Sequence, residues 1–174
     1  LSAIGADAAS ASRYARSKAM GEAAVREAFP GATILRPSVV FGPEDDFFNR
    51  FAALARLAPA LPLIDGGKTK FQPIYVGDVA AAAMAALNDE TTAGRTYELG
   101  GPQTMTFREV LEYVMRLTGR RRLLAPVPSC LLRRLAVLIE LLPNPPITRD
   151  QLILLARDNV VAEGAAGLEA LGVT

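Results

Sequence analysis

Residues 10–43 read SASRYARSKAMGEAAVREAFPGATILRPSVVFGP, and the order of signals in this stretch sets the fold class. Ser10 or Ser12 offers a hydroxyl to the free backbone N–H groups of a helix start. The helix is predicted to run to about Phe29, where Pro30-Gly31 stops it. Residues 32–36 (ATILR) form a short apolar run, which predicts a buried parallel strand. Phe41-Gly42-Pro43 then reads as a loop. A helix leading directly into a buried strand is the grammar of an α/β sheet.

The pattern continues outward in both directions. Residues 1–5 (LSAIG) read as the end of a buried strand. Asp46 is a candidate cap for a second helix carrying Phe47, Phe51, Leu54 and Leu57 along one face. Pro59, Pro62, Gly66 and Gly67 mark a loop region. A short strand is predicted over 71–75, followed by an alanine-rich helix capped by Asp78 and ending near Leu87. Residues 95–99 (RTYEL) alternate like a strand. Thr106 with Glu109, and Thr148 with Gln151, have the spacing of capping boxes. Between these boxes, residues 129–142 form a strongly apolar helix, and Pro145-Pro146 precede the last one.

Composition narrows the chemistry. The 174 residues carry 19 basic and 18 acidic side chains, a balance that lacks the basic face needed to displace phosphate counterions, so nucleic acid is not an expected partner. Arg120, Arg121 and Arg122 are the densest charge cluster and read as a solvated turn. There is no histidine and a single cysteine, Cys130. No metal site is expected on those ligands, no disulfide framework can form, and triads built on histidine are excluded. Any proton transfer must use Tyr, Lys, Asp, Glu or an activated Ser. No run of apolar residues is long enough to span a bilayer.

Tyr14 and Lys18 meet that requirement. Four residues apart on one helix, they lie on the same face, one turn apart. An ammonium beside a phenol favours the phenolate and would lower the tyrosine pKa, suiting it to exchange a proton with a carbonyl or alcohol. Ser2, at the end of the first strand, could hydrogen-bond the same substrate oxygen, or simply bond locally to backbone. Gly66, Gly67, Lys68, Lys70 and Gln72 could line a pocket or form a polar surface loop. Arg36 is expected to pair with Glu22 or Asp78.

Ser2, Tyr14 and Lys18, followed by ATILRPSVVFGP, resemble the second half of the extended short-chain dehydrogenase/reductases. The segment FQPIYVGDVA resembles that family's later stretch before a helix returning to the core. SRYARSKAMGEAAVREAFPGATILRPSVVFGPEDDFFNRFA, KTKFQPIYVGDVA, LPNPPITRDQL and GLEALGV are similar to an atypical branch that includes the nucleotide-binding accessory subunit of respiratory complex I. The resemblance implies the C-terminal half of a Rossmann-like, doubly wound parallel sheet plus a small substrate-side lobe. On that division, residues 1–43 end the Rossmann-like domain, and 44–174 form a mixed C-terminal lobe with elements returning to the core. It implies Ser2, Tyr14 and Lys18 as the catalytic set, with Tyr14, Lys18, Pro37 and Val40 along the nicotinamide side of NADP(H) or NAD(H).

The family's glycine fingerprint for the diphosphate is absent; Gly100-Gly101 and Gly164/Gly167 have other spacings. The cofactor is therefore expected to be held mainly by a missing N-terminal half. The resemblance further implies a protein of complex I or quinone metabolism with little turnover. An active oxidoreductase or sugar-nucleotide epimerase acting on a small-molecule substrate, and a nucleotide-free scaffold, remain alternatives. Expected partners are complex I subunits or a second copy in a homodimer. The expected place is cytoplasmic, with peripheral contact at the inner face of the cytoplasmic membrane.

Overall fold

The structure, a computed structural model, describes residues 1–140 and 148–173. The expectations that fall on Leu142 and on Pro145-Pro146 lie outside the described residues. The chain forms two compact units that interleave in sequence. Unit 1 comprises Leu1–Pro43, Gln72–Thr104 and Asn159–Thr174; unit 2 comprises Glu44–Phe71 and Met105–Asp158.

In unit 1, helix α1 (Arg13–Ala28) starts where Ser12 Oγ accepts the Ala15 N–H at 3.2 Å. Strand β1 (Ile34–Pro37) lies parallel to β6 (Thr96–Leu99), with Arg36 opposite Glu98. Residues 1–5 run beside the other edge of β1: Ser2 N–H donates to Leu35 O at 2.7 Å and Ile4 N–H to Pro37 O at 3.0 Å. They do not become a regular strand. In a parallel ladder the return bond to Ser2 would come from residue 37, and proline has no N–H to give. Strand β2 (Val40–Phe41) pairs in parallel with β5 (Ile74–Tyr75). Helix α3 (Val76–Asn88) follows β5 directly, with Tyr75 as its cap residue. Asp78 thus sits inside the first turn, where its charge complements the helix dipole, and not at the cap as expected. Leu35, Ile74, Val79, Ala82, Tyr97 and Leu99 form the core, and Leu168, Leu171 and Val173 pack against it.

In unit 2, helix α2 (Phe47–Leu57) is capped by a residue other than the expected one. Asp46 makes no cap bond, whereas Asp45 Oδ1 accepts the Phe48 N–H at 2.6 Å. Strand β3 (Ala60–Ile64) pairs in parallel with β8 (Leu123–Val127). Neither was expected, because Pro59 and Pro62 read as loop and Pro126 interrupts the other run. A two-stranded pair leaves one edge of each strand without a partner, and proline is tolerated on such edges. The single strand predicted over 71–75 is instead divided at Gln72-Pro73. Strand β4 (Lys70–Phe71) pairs antiparallel with β7 (Met105–Thr106) in unit 2, and β5 belongs to unit 1.

Helix α4 (Phe107–Leu117) carries the expected capping box: Glu109 Oε2 accepts the Thr106 N–H at 2.7 Å, and Thr106 Oγ1 accepts the Glu109 N–H at 3.3 Å. Helices α5 (Ser129–Ile139) and α6 (Arg149–Leu155) follow, the latter with the Thr148–Gln151 box in place. Phe47, Phe51, Phe71 and Phe107 meet edge to face or tilted at centroid distances of 5.3–6.2 Å, so the phenylalanines of α2 are packing residues.

Candidate active-site face and its comparisons

Tyr14, Lys18 and Glu22 recur every fourth residue along α1, one above the other. The Lys18 ammonium lies over the Tyr14 ring, 5.4 Å from its centroid. This is a cation–π contact with the ring face. Burial of the half-exposed phenol pushes the Tyr14 pKa up from its ordinary value, opposite to the lowering expected from an adjacent ammonium. A spectrophotometric titration at alkaline pH should therefore show one phenol, lost in Tyr14→Phe, that ionises later than a free tyrosine. A phenol titrating below pH ~10 would reverse the assignment.

Ser2 is the third residue of the expected set. Its hydroxyl is buried and makes no hydrogen bond among the described residues. It lies near the Glu22 carboxylate, close enough to help hold that group's pKa down but outside hydrogen-bonding geometry. Glu22 is eight residues from Tyr14, about 12 Å along the helix axis.

Glu22 anchors a polar network beneath this face. Arg36 Nε and Nη2 donate to its two carboxylate oxygens at 2.8 and 2.7 Å, a fork-to-fork pair, and Arg36 Nη1 lies 3.7 Å from Glu98 Oε1. Burial pushes the Glu22 pKa up, but the hydrogen bond from Arg36, aided by Ser2 and by the charges of Arg36 and Arg26, outweighs it and holds the carboxyl below its ordinary value. Glu98 Oε2 in turn accepts the Ala162 N–H at 2.9 Å. Arg36 therefore pairs as expected with Glu22, and with Glu98 in place of Asp78. The signal for Glu98 was its position in RTYEL, opposite in face to buried Tyr97 and Leu99; only the register of β1 and β6 reveals its partner.

Pro37 and Val40 bracket a turn held by a residue that sequence reasoning missed. Asn159 Oδ1 accepts from Ser38 Oγ at 2.7 Å and from the Val39 N–H at 2.9 Å, while its carbonyl accepts from the Gln72 N–H at 3.0 Å. Some 120 residues separate Asn159 from Ser38 and Val39, so no local pattern announces the contact. Asn159→Ala should cost about 1–2 kcal/mol, the usual cost of leaving a part-buried donor unsatisfied, and Asn159→Asp should keep the acceptor. Faster amide exchange at Val39 in the alanine variant alone would be the signature; equal exchange in both variants would refute it.

Gln72, considered above as a pocket residue, is occupied internally: its Nε2 donates to Gly101 O at 2.8 Å and its Oε1 accepts the Val161 N–H at 3.0 Å. In unit 2, Gly66 and Gly67 form a tight left-handed turn at φ 76° and 70°. A Cβ on Gly67 would stand 2.4 Å from Leu63 Cδ1, so the pair serves chain reversal.

The phenol and ammonium of Tyr14 and Lys18, side by side on α1, could bind ribose hydroxyls. They do not supply a diphosphate cradle: the space a side chain would take at Gly100 is filled by Gln72 and Val161, and that at Gly101 by the Pro73 carbonyl.

A parallel α/β sheet, with a Tyr–Lys pair on the helix that leads into β1, is the architecture of the Rossmann-like short-chain dehydrogenase/reductases. More particularly, the chain belongs to the RmlD substrate binding domain family, whose family model matches residues 6–133. NADH dehydrogenase (ubiquinone) 1 alpha subcomplex subunit 9, mitochondrial, of Arabidopsis thaliana is 39% identical over 95% of this chain and 44% of its own length. The subunit of the same name from Mus musculus is 37% identical over 99% of this chain and 46% of its own. The chain thus spans about half the length of the curated relatives it matches. Among solved structures, the UDP-glucose 4-epimerase of Thermus thermophilus, in complex with NAD, superposes with a TM-score of 0.61 at 23% identity, covering 92% of this chain and 48% of that one. At that identity the likeness speaks for the fold.

Proposed function

We propose that this chain is the nicotinamide-side part of a short-chain-dehydrogenase-like subunit of respiratory complex I, with a structural or assembly role and little turnover. The carrying observation is the similarity to the complex I alpha subcomplex subunit along nearly the whole chain. The face on α1 supports the low-turnover part of the reading. A Tyr14 phenol whose pKa is pushed up is seldom present as the phenolate that acts as a base. NAD(H) or NADP(H) would meet Tyr14, Lys18, Pro37 and Val40 at its nicotinamide end. Its diphosphate would be held mainly by the half of the relatives' length that this chain does not match. The subunit would sit peripherally at the inner face of the cytoplasmic membrane. Exposed Met20, Val25 and Phe29 on and just after α1 would be covered by a neighbouring subunit or a second copy.

The test is to tag the protein in its own cells, isolate complex I under native conditions and identify its subunits by mass. Co-migration with the complex is expected; a protein found only apart from it would overturn the reading. The Tyr14–Lys18 contact favours one other reading, an active oxidoreductase or epimerase. That reading requires nicotinamide-dependent turnover of a carbonyl substrate that falls about 100-fold in Tyr14→Phe.

A further inference from the structure

One end of unit 2 combines arginines and leucines that none of the roles above uses. Helix α2 ends at Leu57 and α4 at Leu117; β3 begins at Ala60 and β8 at Leu123, and Ala60 and Leu123 are register partners. Arg122 ties the ends together by donating from Nε to Ala55 O at 2.8 Å and from Nη2 to Arg56 O at 3.3 Å. Two helix ends and two strand starts therefore meet in one place. Leu57, Leu117 and Leu123 are 87%, 69% and 77% exposed there, and Arg56, Arg120 and Arg121 stand exposed beside them.

The segments that build this end carry charge of one sign. Residues 47–64 and 113–139 contain no Asp or Glu. Among the described residues, the ion pairs within unit 2, Arg108–Glu112 and Arg149–Glu140, do not involve these arginines. Last-turn placement accounts for Arg56 and Arg116, whose charges suit a helix C-terminus. Carbonyl capping accounts for Arg122. Neither explains Arg120, Arg121 or three leucines held in water. Single exposed leucines are ordinary; three at one end of a unit, with exposed arginines next to them along the chain, are not. The complementary partner must offer negative charge together with an apolar layer just beneath it, which describes the headgroup–acyl boundary of an anionic bilayer.

We propose that this end of unit 2 docks on an anionic phospholipid surface. Leu57, Leu117 and Leu123 enter the boundary between headgroups and acyl chains, and Arg56, Arg120 and Arg121 meet the lipid phosphates. The inference takes up the membrane-side placement proposed above and assigns it a surface. The test is flotation of the whole chain with vesicles of phosphatidylcholine, with and without phosphatidylglycerol, across a range of salt concentrations. Binding is expected only with phosphatidylglycerol and should weaken as salt rises. Arg120→Ser/Arg121→Ser and Leu57→Ser/Leu117→Ser/Leu123→Ser should each weaken it at least about tenfold. These residues are exposed, so circular dichroism should show both variants folded.

No binding, equal binding to both vesicles, or variants that bind like the parent would overturn the proposal. So would arginine variants that are lost from complex I while the parent ignores vesicles, since the patch would then meet an acidic protein. Failure on vesicles with co-migration intact would leave the complex I reading standing.

Discussion

Arg36→Ala is expected to destabilise unit 1 by about 3 kcal/mol, the lower end of the cost of stripping one partner from a buried ion pair. Arg36 is 27% exposed while Glu22 is almost fully buried, so the variant leaves a carboxylate in a poorly hydrated place with its two shortest hydrogen bonds gone. Replacing both partners, as Glu22→Leu/Arg36→Met, should cost far less, because no charge is then left behind. The pH dependence separates the two cases. In the parent, Glu22 titrates below its ordinary value. Its contribution is fully present above the unfolded carboxyl pKa of about 4.3 and is lost as pH falls through the still lower folded value. In Arg36→Ala, burial is left as the main influence on Glu22 and should raise its pKa above the unfolded value. Stability should then fall as pH rises above the unfolded carboxyl value of about 4.3, reversing the sign of that limb. Urea unfolding across this range reads both effects; a variant with the parent's midpoint and the parent's acid limb would rule out a stabilising role for the pair.

What the sequence disclosed and what it hid divide along the range of the interactions. Ser12, Thr106 and Thr148 announce their helices because a cap needs only a hydroxyl and a backbone N–H three residues away. The apolar run that contains β1 is legible because a parallel strand is buried on both faces. Strands β3 and β8 were hidden by Pro62 and Pro126, since a lone sequence does not say which edge of a strand will lack a neighbour. The pairing of Arg36 with Glu98 follows from register, and that of Asn159 with Val39 from a return of the chain after 120 residues. At the candidate site, Tyr14 and Lys18 were legible because helix geometry fixes neighbours at four residues. The place of Ser2 relative to them is set by the turns between residues 5 and 12, which no spacing rule fixes. Even for Tyr14 and Lys18 the spacing gave proximity without orientation. Whether the ammonium lies over the ring or beside the hydroxyl, and hence which way the phenol pKa moves, depends on side-chain torsions and burial.

Gly101→Ala should be the most damaging glycine-to-alanine change in unit 1, at about 3 kcal/mol or more. A Cβ at Gly101 would stand 2.0 Å from the Pro73 carbonyl oxygen and 3.1 Å from its carbon, and both are backbone atoms that no rotamer change can move. Withdrawal of residue 101 would also break the reciprocal bonds Gly101 N–H to Gln72 O and Gln72 Nε2 to Gly101 O. Gln72 is bonded to Asn159 and Val161, and Asn159 holds Ser38 and Val39, so the disturbance reaches the turn between Pro37 and Val40. Two neighbouring substitutions test whether steric contact with backbone is the cause. Gly100→Ala meets the Gln72 amide at 2.5 Å and Val161 Cγ2 at 2.7 Å, both side chains, and Gln72 can shift only by loosening its bonds to Gly101 and Val161, so its cost should be lower, at about 1–2 kcal/mol. Gly21→Ala, exposed on α1 with nothing within 4 Å, should stabilise by about 0.5–1 kcal/mol by removing a glycine from a helix interior. The expected order of unfolding midpoints is therefore Gly21→Ala, parent, Gly100→Ala, Gly101→Ala. Were Gly101→Ala to unfold with the parent, the close approach of residues 73 and 101 would have to be abandoned, and with it the account of how residues 159–161 hold the turn between Pro37 and Val40.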